Sequence, residues 1–167
     1  MLMTSWPLQS QSDAFYGNPR GRNGQASSSW ESANLTLITP PFQMFFLAKP
    51  ARPRVHKKCA DAFMAWFETV WKNAGRDKRV IRDWGMDDYA GAYNFRRMRN
   101  GAALSMHAYG CAIDLDADRN GMGDATPHFA TLREQVVKPF LDLGGTWGGD
   151  WSGRNADGMH FQFARVR

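Results

Sequence analysis

The stretch SMHAYGCAIDLD, Ser105 to Asp116, decides how the rest of the chain is read. Ala112 to Leu115 has the apolar character of a buried strand, and the small residues and Gly110 before it fit a tight turn. One of only four histidines, His107, lies in that turn, and Asp114 interrupts the strand. A buried carboxylate is costly unless its charge is compensated. A metal ion would compensate it, but an ion needs more ligands than these two.

Moving downstream, Asp116, Asp118, Asn120 and Gly121 match the first half of a calcium loop. Pro127 stands where the bidentate Glu should be, which excludes an EF-hand. A looser Ca2+ site using Asp116, Asp118, Asn120 and Asp124 is kept beside the plainer reading of a polar turn. Thr126 and Pro127 resemble the N-cap and first position of a helix that ends near Leu143 and Gly144. His160 to Val166 alternates like a strand, and Asp157 precedes His160 by three residues.

Upstream, Leu35–Ile38 and Gln43–Ala48 read as strands separated by a Pro40-Pro41 turn. From Pro53 to Asn73 the apolar residues Val55, Cys59, Phe63, Trp66, Phe67 and Val70 fall on one helical face, and Gly75 stops the run. His56 lies on the opposite, polar face and is expected to be solvated. Arg79–Trp84 is expected as a short strand and Asp87–Asn100 as a loop. Residues 1–34, rich in Ser, Gly, Asn and Pro with scattered aromatics, read as an irregular N-terminal arm pinned by its rings. Residues 35–167 form the one domain that this length supports. Helices and strands mix without a regular βαβ period, so the expected class is α+β.

Composition narrows the function. A hydrophobic fraction of 43% with seven tryptophans indicates a folded globule. The net charge of +5 and pI near 9.5 suit a polyanionic target, yet the basic residues form neither a basic helix nor an aromatic–basic alternation. Nucleic acid is therefore not an expected partner. Cys59 and Cys111 have no CxxC partners and are expected as reduced core residues. The first residues lack the basic and apolar regions of a signal peptide, and Phe42–Ala48 is too short to span a bilayer. The expectation is synthesis in the cytoplasm, no membrane insertion, and a monomer.

His107, Asp114 and His160 make a two-histidine, one-carboxylate set of the kind that catalytic zinc takes, with a fourth position left for water. Asp157 is placed to take a proton beside such a site. The pattern Ser-x-His-x-x-Gly-x-Ala-x-Asp at Ser105–Asp114, followed by Asp-x-x-His at Asp157–His160, resembles the M15 metallopeptidases. The likeness extends into Tyr93–Arg99 and Gly145–Asp150 and spans roughly Lys49 to Phe163. It implies a small α+β domain of the Hedgehog/DD-peptidase kind, with a central antiparallel sheet flanked by helices. It implies one Zn2+ held by His107, Asp114 and His160, with Asp157 as catalytic base. An arginine facing substrate or oxyanion is implied too, Arg96 or Arg99, with Arg97 less favoured. Ser105 caps a turn or supports the neighbouring ligand, and Trp147 and Trp151 serve as pocket wall or core. His128 is not expected to be a ligand.

The resemblance implies a peptidoglycan substrate, cut at L-Ala–D-Glu as by phage endolysins, or at D-Ala–D-Ala by a carboxypeptidase. Release of the protein to the cell wall, in the periplasm, would follow. A non-catalytic wall-binding module is the alternative, and it would be expected to have lost a ligand or the base. Many relatives carry Glu where this chain has Gln162, so support of His160 is expected to differ.

Overall fold

Strand β6 (Ala112–Leu115) is the centre on which the molecule is organised. The structure, a computed structural model, describes residues 5–99 and 101–167. Met1 to Thr4, on which the targeting expectation partly rests, and Asn100, the end of the expected 87–100 loop, lie outside the described residues. β6 sits in a four-stranded antiparallel sheet of order β5-β6-β8-β7, with β5 at Tyr89–Gly91, β7 at Thr146–Trp147 and β8 at His160–Gln162. Two smaller antiparallel pairs stand apart from it. β1 (Leu35–Leu37) pairs with β4 (Arg54–His56), and β2 (Met44–Phe46) pairs with β3 (Lys49–Ala51). The α+β class with an antiparallel sheet is borne out.

Because side chains alternate across a pleated sheet, its two faces divide the labour. Ile113, Leu115 and Phe161 are fully buried on one face, with Ile113 opposite Phe161 in register. Helix α3 (Lys57–Asn73) covers that face through Cys59, Phe63, Trp66, Phe67 and Val70, all buried. The Trp66 and Phe161 rings lie 4.6 Å apart, as do Trp66 and Phe140. Each such ring contributes about 1.5–3 kcal/mol by leaving water. The other face carries Asp114 opposite His160.

Helix α3 begins four residues later than its apolar pattern, because residues 54–56 form β4 instead. His56 is consequently not a solvated helix residue. It is 2% exposed and serves as N-cap, its Nδ1 accepting from the Lys58 N–H at 3.0 Å while Nε2–H donates to the Tyr16 carbonyl at 3.0 Å. The expected strand at 79–84 is a helix, α4 (Lys78–Trp84): Asp77 caps its start by accepting from the Arg79 N–H, and left-handed Gly85 ends it. The expected loop at 87–100 contains β5, and the C-terminal strand stops at Gln162.

The helix expected from Pro127 is broken into three pieces, a 3-10 turn at His128–Leu132, a π turn at Arg133–Val137 and α5 at Lys138–Asp142. Pro127 is the N-cap residue and not the first helical position. Pro139 has no N–H for the Gln135 carbonyl, which accepts from Asn73 Nδ2 instead, and the Val136 carbonyl accepts from Trp66 Nε1 at 2.9 Å.

The arm contains two short helices, α1 (Ser12–Tyr16) and α2 (Ser28–Asn34). The Trp6, Tyr16 and Trp30 rings are buried: Trp6 Nε1–H donates to Leu143 O at 2.8 Å, and Tyr16 O–H donates to Phe163 O at 2.6 Å. Residues 7–9 and 165 exchange backbone hydrogen bonds of 2.8 and 2.9 Å. Cys59 and Cys111 are both free and fully buried. No helix among the described residues is long and apolar enough to cross a membrane.

Candidate metal centre and active site

The motif turn folds as a short 3-10 helix, Met106–Tyr109, whose first turn is capped by Ser105 Oγ accepting from the His107 N–H at 3.3 Å. Gly110 closes it in the left-handed region at φ 68°. A Cβ there would sit 2.8 Å from His56 N, where β4 passes, so the position needs glycine on two counts. The turn points the His107 ring at β6. Asp114 faces His160 across the β6–β8 register, so the three side chains meet on the sheet face away from α3.

The hydrogen bonds behind each imidazole fix its tautomer. His107 Nδ1–H donates to the Ala92 carbonyl at 2.7 Å. His160 Nε2–H donates to Gln162 Oε1 at 2.8 Å, and Gln162 in turn donates to the Ala164 carbonyl at 2.8 Å. The remaining nitrogens, His107 Nε2 and His160 Nδ1, lie 3.1 Å apart and 3.1 and 3.0 Å from the two Asp114 oxygens. With both imidazoles neutral, two lone pairs and a carboxylate thus converge with no hydrogen of their own between them. A single cation satisfies all three, so the donor set fits a divalent metal of zinc's ligand preference. Gln162 does the work that the motif's usual Glu would do, as a neutral acceptor in place of a charged one.

A proton on His160 is the competing way to answer the Asp114 charge. Burial works to raise the Asp114 carboxyl, but hydrogen bonds and charge from His107 and His160 outweigh it and hold it below the usual carboxylate range. Burial opposes protonation of His160, yet Asp114 carries its imidazole above the ordinary histidine value. The Asp157 carboxyl is raised, chiefly by burial, with Asp114 adding to the rise while His160, His107 and Arg99 oppose it.

Asp157 is 8% exposed and Oδ1 is a buried oxygen with no hydrogen-bond partner among the described residues. Its position is set by Gly148. The Asp157 N–H donates to the Gly148 carbonyl at 2.9 Å, and a Cβ on Gly148 would lie 2.4 Å from the Asp157 carbonyl oxygen. Trp147 is buried beneath this turn, its Nε1–H donating to Gly158 O at 2.7 Å, and Trp151 lies 5.5 Å from the His160 ring.

A cavity of about 320 Å³ opens onto His107 and Asp114. Arg96 lines it, whereas Arg99 is not in its lining, acts on the Asp157 carboxyl by its charge, and has Nη1 3.7 Å from Met122 Sδ. Both are exposed, and Arg97 is taken up in a backbone bridge with Leu104.

The calcium expectation finds no comparable convergence. The Asp116 carboxylate accepts from Arg119 Nε at 2.8 Å and Asn120 Nδ2 at 3.0 Å, and Asn120 Oδ1 accepts from the Phe129 N–H. Asp116 and Asn120 are thus committed to each other and to neighbouring donors, and Asp124 Oδ1 accepts from the Thr126 N–H instead. His128, as expected, lies outside the cluster. Sequence reading did not find the Ala92 carbonyl behind His107, since a backbone acceptor leaves no residue signature. Nor did it find Phe46 and Tyr89 in the cavity wall.

Residues 99–163 match the peptidase M15 family model described as D-alanyl-D-alanine carboxypeptidase. That span, well under half of the chain, holds Arg99, Asp157 and all three members of the cluster, and its likeness supports a peptidase. Comparison with curated proteins and with solved structures gave no match.

Proposed function

We propose that this protein is a zinc-dependent peptidase acting on the stem peptides of peptidoglycan. The observation that carries the reading is the convergence of His107 Nε2, His160 Nδ1 and the Asp114 carboxylate with both tautomers fixed from behind. A wall-binding module would have no use for a buried, charged, tautomer-locked trio. Zinc in that trio would lower the pKa of a bound water to about 7 and polarise the peptide carbonyl.

The chain's own residues supply the rest. Asp157, with its unpartnered buried oxygen, takes the proton of the attacking water and returns it to the leaving amine. Its raised pKa suits a group that must both accept and donate. Arg96 at the cavity wall offers a permanently charged fork to a substrate carboxylate or the developing oxyanion, and Arg99 is the second choice. The Ala92 carbonyl and Gln162 hold the two imidazoles in place, and Ser105 caps the turn that presents His107.

The bond we assign is L-Ala–D-Glu, cut by an endolysin-type enzyme released to the cell wall. Cleavage at D-Ala–D-Ala is the second reading, favoured by the description of the matched family. Two measurements test the proposal. Elemental analysis should find about one zinc per chain, lost in His107→Ala and His160→Ala. Mass spectrometry of digested muropeptides should show one new terminus, and each bond leaves a different one. Full zinc retention in both variants, or intact muropeptides, would sink it.

A further inference from the structure

The β2–β3 hairpin carries a feature that the proposed chemistry does not use. Period-two alternation puts Met44 and Phe46 on one face of β2. Met44 is 1% exposed in the core, while Phe46 extends past the core's edge into the cavity that holds His107 and Asp114, and is 45% exposed. The Phe46 ring stands edge-on to Tyr89, centroids 6.1 Å apart. The hairpin is tied to the main sheet just before β5, where the Phe45 N–H donates to the Asp87 carbonyl at 2.8 Å. Its turn holds Leu47 and Ala48 at φ 48° and 63°, a left-handed pair where Asn or Gly is the usual choice. An aromatic ring is therefore held half in water, by a strained turn, beside the reacting centre.

We propose that Phe46, backed by Tyr89, is a specificity-determining residue that seats the methyl group of the alanine whose carbonyl is attacked. The inference rests on the peptidase reading and narrows it. In both candidate bonds, L-Ala–D-Glu and D-Ala–D-Ala, the residue that contributes the carbonyl is alanine. The ring faces a cavity walled by Gly91 and Ala92, residues with little or no side chain. The space beside it suits a methyl group. Arg96 in the same wall leaves the neighbouring carboxylate a partner of opposite charge.

The test uses zinc-loaded Asp157→Asn protein, with and without Phe46→Ala, and a synthetic stem pentapeptide, L-Ala–D-Glu–diaminopimelate–D-Ala–D-Ala. Analogues carry glycine in place of each alanine in turn. One glycine replacement should weaken Kd by about 10-fold when Phe46 is present and by less than about twofold when it is absent, the range expected for one methyl group in an apolar pocket. Phe46→Ala should itself weaken the parent peptide about 10-fold with zinc content and Tm unchanged, and Phe46→Leu should restore most of it. The position that couples also reports which alanine adjoins the cut.

Equal losses for every analogue with and without Phe46, or unchanged Kd in Phe46→Ala, would overturn the inference. Turnover of the same pentapeptide by the zinc-loaded wild type separates the two levels. No cleavage overturns the peptidase reading, whereas cleavage without coupling overturns the methyl seat alone.

Discussion

Asp157 and His160 lie three residues apart, yet burial acts on them in opposite senses, and that opposition organises the site's response to substitution and pH. Burial raises Asp157 and leaves its Oδ1 without a partner, so its charge is a cost to the folded state. Asp157→Asn should therefore keep the metal, hold or raise Tm, and lower the turnover of the proposed peptidase by several orders of magnitude. Near-normal turnover of the zinc-loaded variant would remove Asp157 from the mechanism.

The metal-free cluster predicts its own stability profile. Asp114 is depressed, so its contribution is present above its unfolded pKa of about 3.9 and lost as pH falls through the folded value. His160 is raised, so its contribution is present below about 6.5 and lost as pH rises through its folded value. Chelated protein should then be most stable between about pH 4 and 6.5 and weaken above it. Zinc-loaded protein should hold its stability there, because deprotonated imidazoles bind metal. Thermal melts across pH with and without chelator check both. At this scale the three cluster residues were legible through the motif's resemblance to a known family, since lone His and Asp residues are more often structural, and the structure brings the three together. His56 was misplaced because its polar neighbours on a helical wheel gave no hint that the helix starts after it.

At the scale of elements, the turn from Trp147 to Asp150 exists to aim Asp157. Gly148→Ala would push a methyl into the Asp157 backbone. Overpacking of this kind costs about 1–3 kcal/mol, and here it displaces the proposed base as well. The expected outcome is a lower urea midpoint together with a larger loss of turnover than of zinc. An active, equally stable variant would show the contact to be slack.

Element types were readable where one periodicity ran long, as in α3, and uncertain where it was short. Val80, Ile81 and Trp84 fit a strand and a helical turn equally well, and the deciding signals were punctuation, Asp77 as cap and Gly85 as stop. The break of the expected helix was written in Pro139, which lies deep in a helix begun at Pro127 but in the first turn of α5. β5 was missed because a three-residue edge strand offers almost no pattern.

For the whole molecule, the arm is the open question of design. Its aromatic residues were legible as anchors, but their partners were not, since Trp6 reaches Leu143 and Tyr16 reaches Phe163 across the chain. Trp6→Ala should destabilise by about 3–5 kcal/mol if the arm is part of the core's closure, measured by urea unfolding with zinc present. A change within error would make the arm an appendage. The bonds that join residues 7–9 to residue 165 bear on time as well as on stability. Arg165 Nε donates to the Trp6 carbonyl across a sequence separation of 159, and the two histidines of the cluster are separated by 53. Contacts so remote form only after most of the loop-closure entropy has been met, so they close late in folding. The donors of the proposed metal site come together only when β8 docks beside β6, so an ion has no complete set of ligands to gather early. Metal uptake should accompany the last ordering step, as a latch on a fold already found and not as the seed from which it grows.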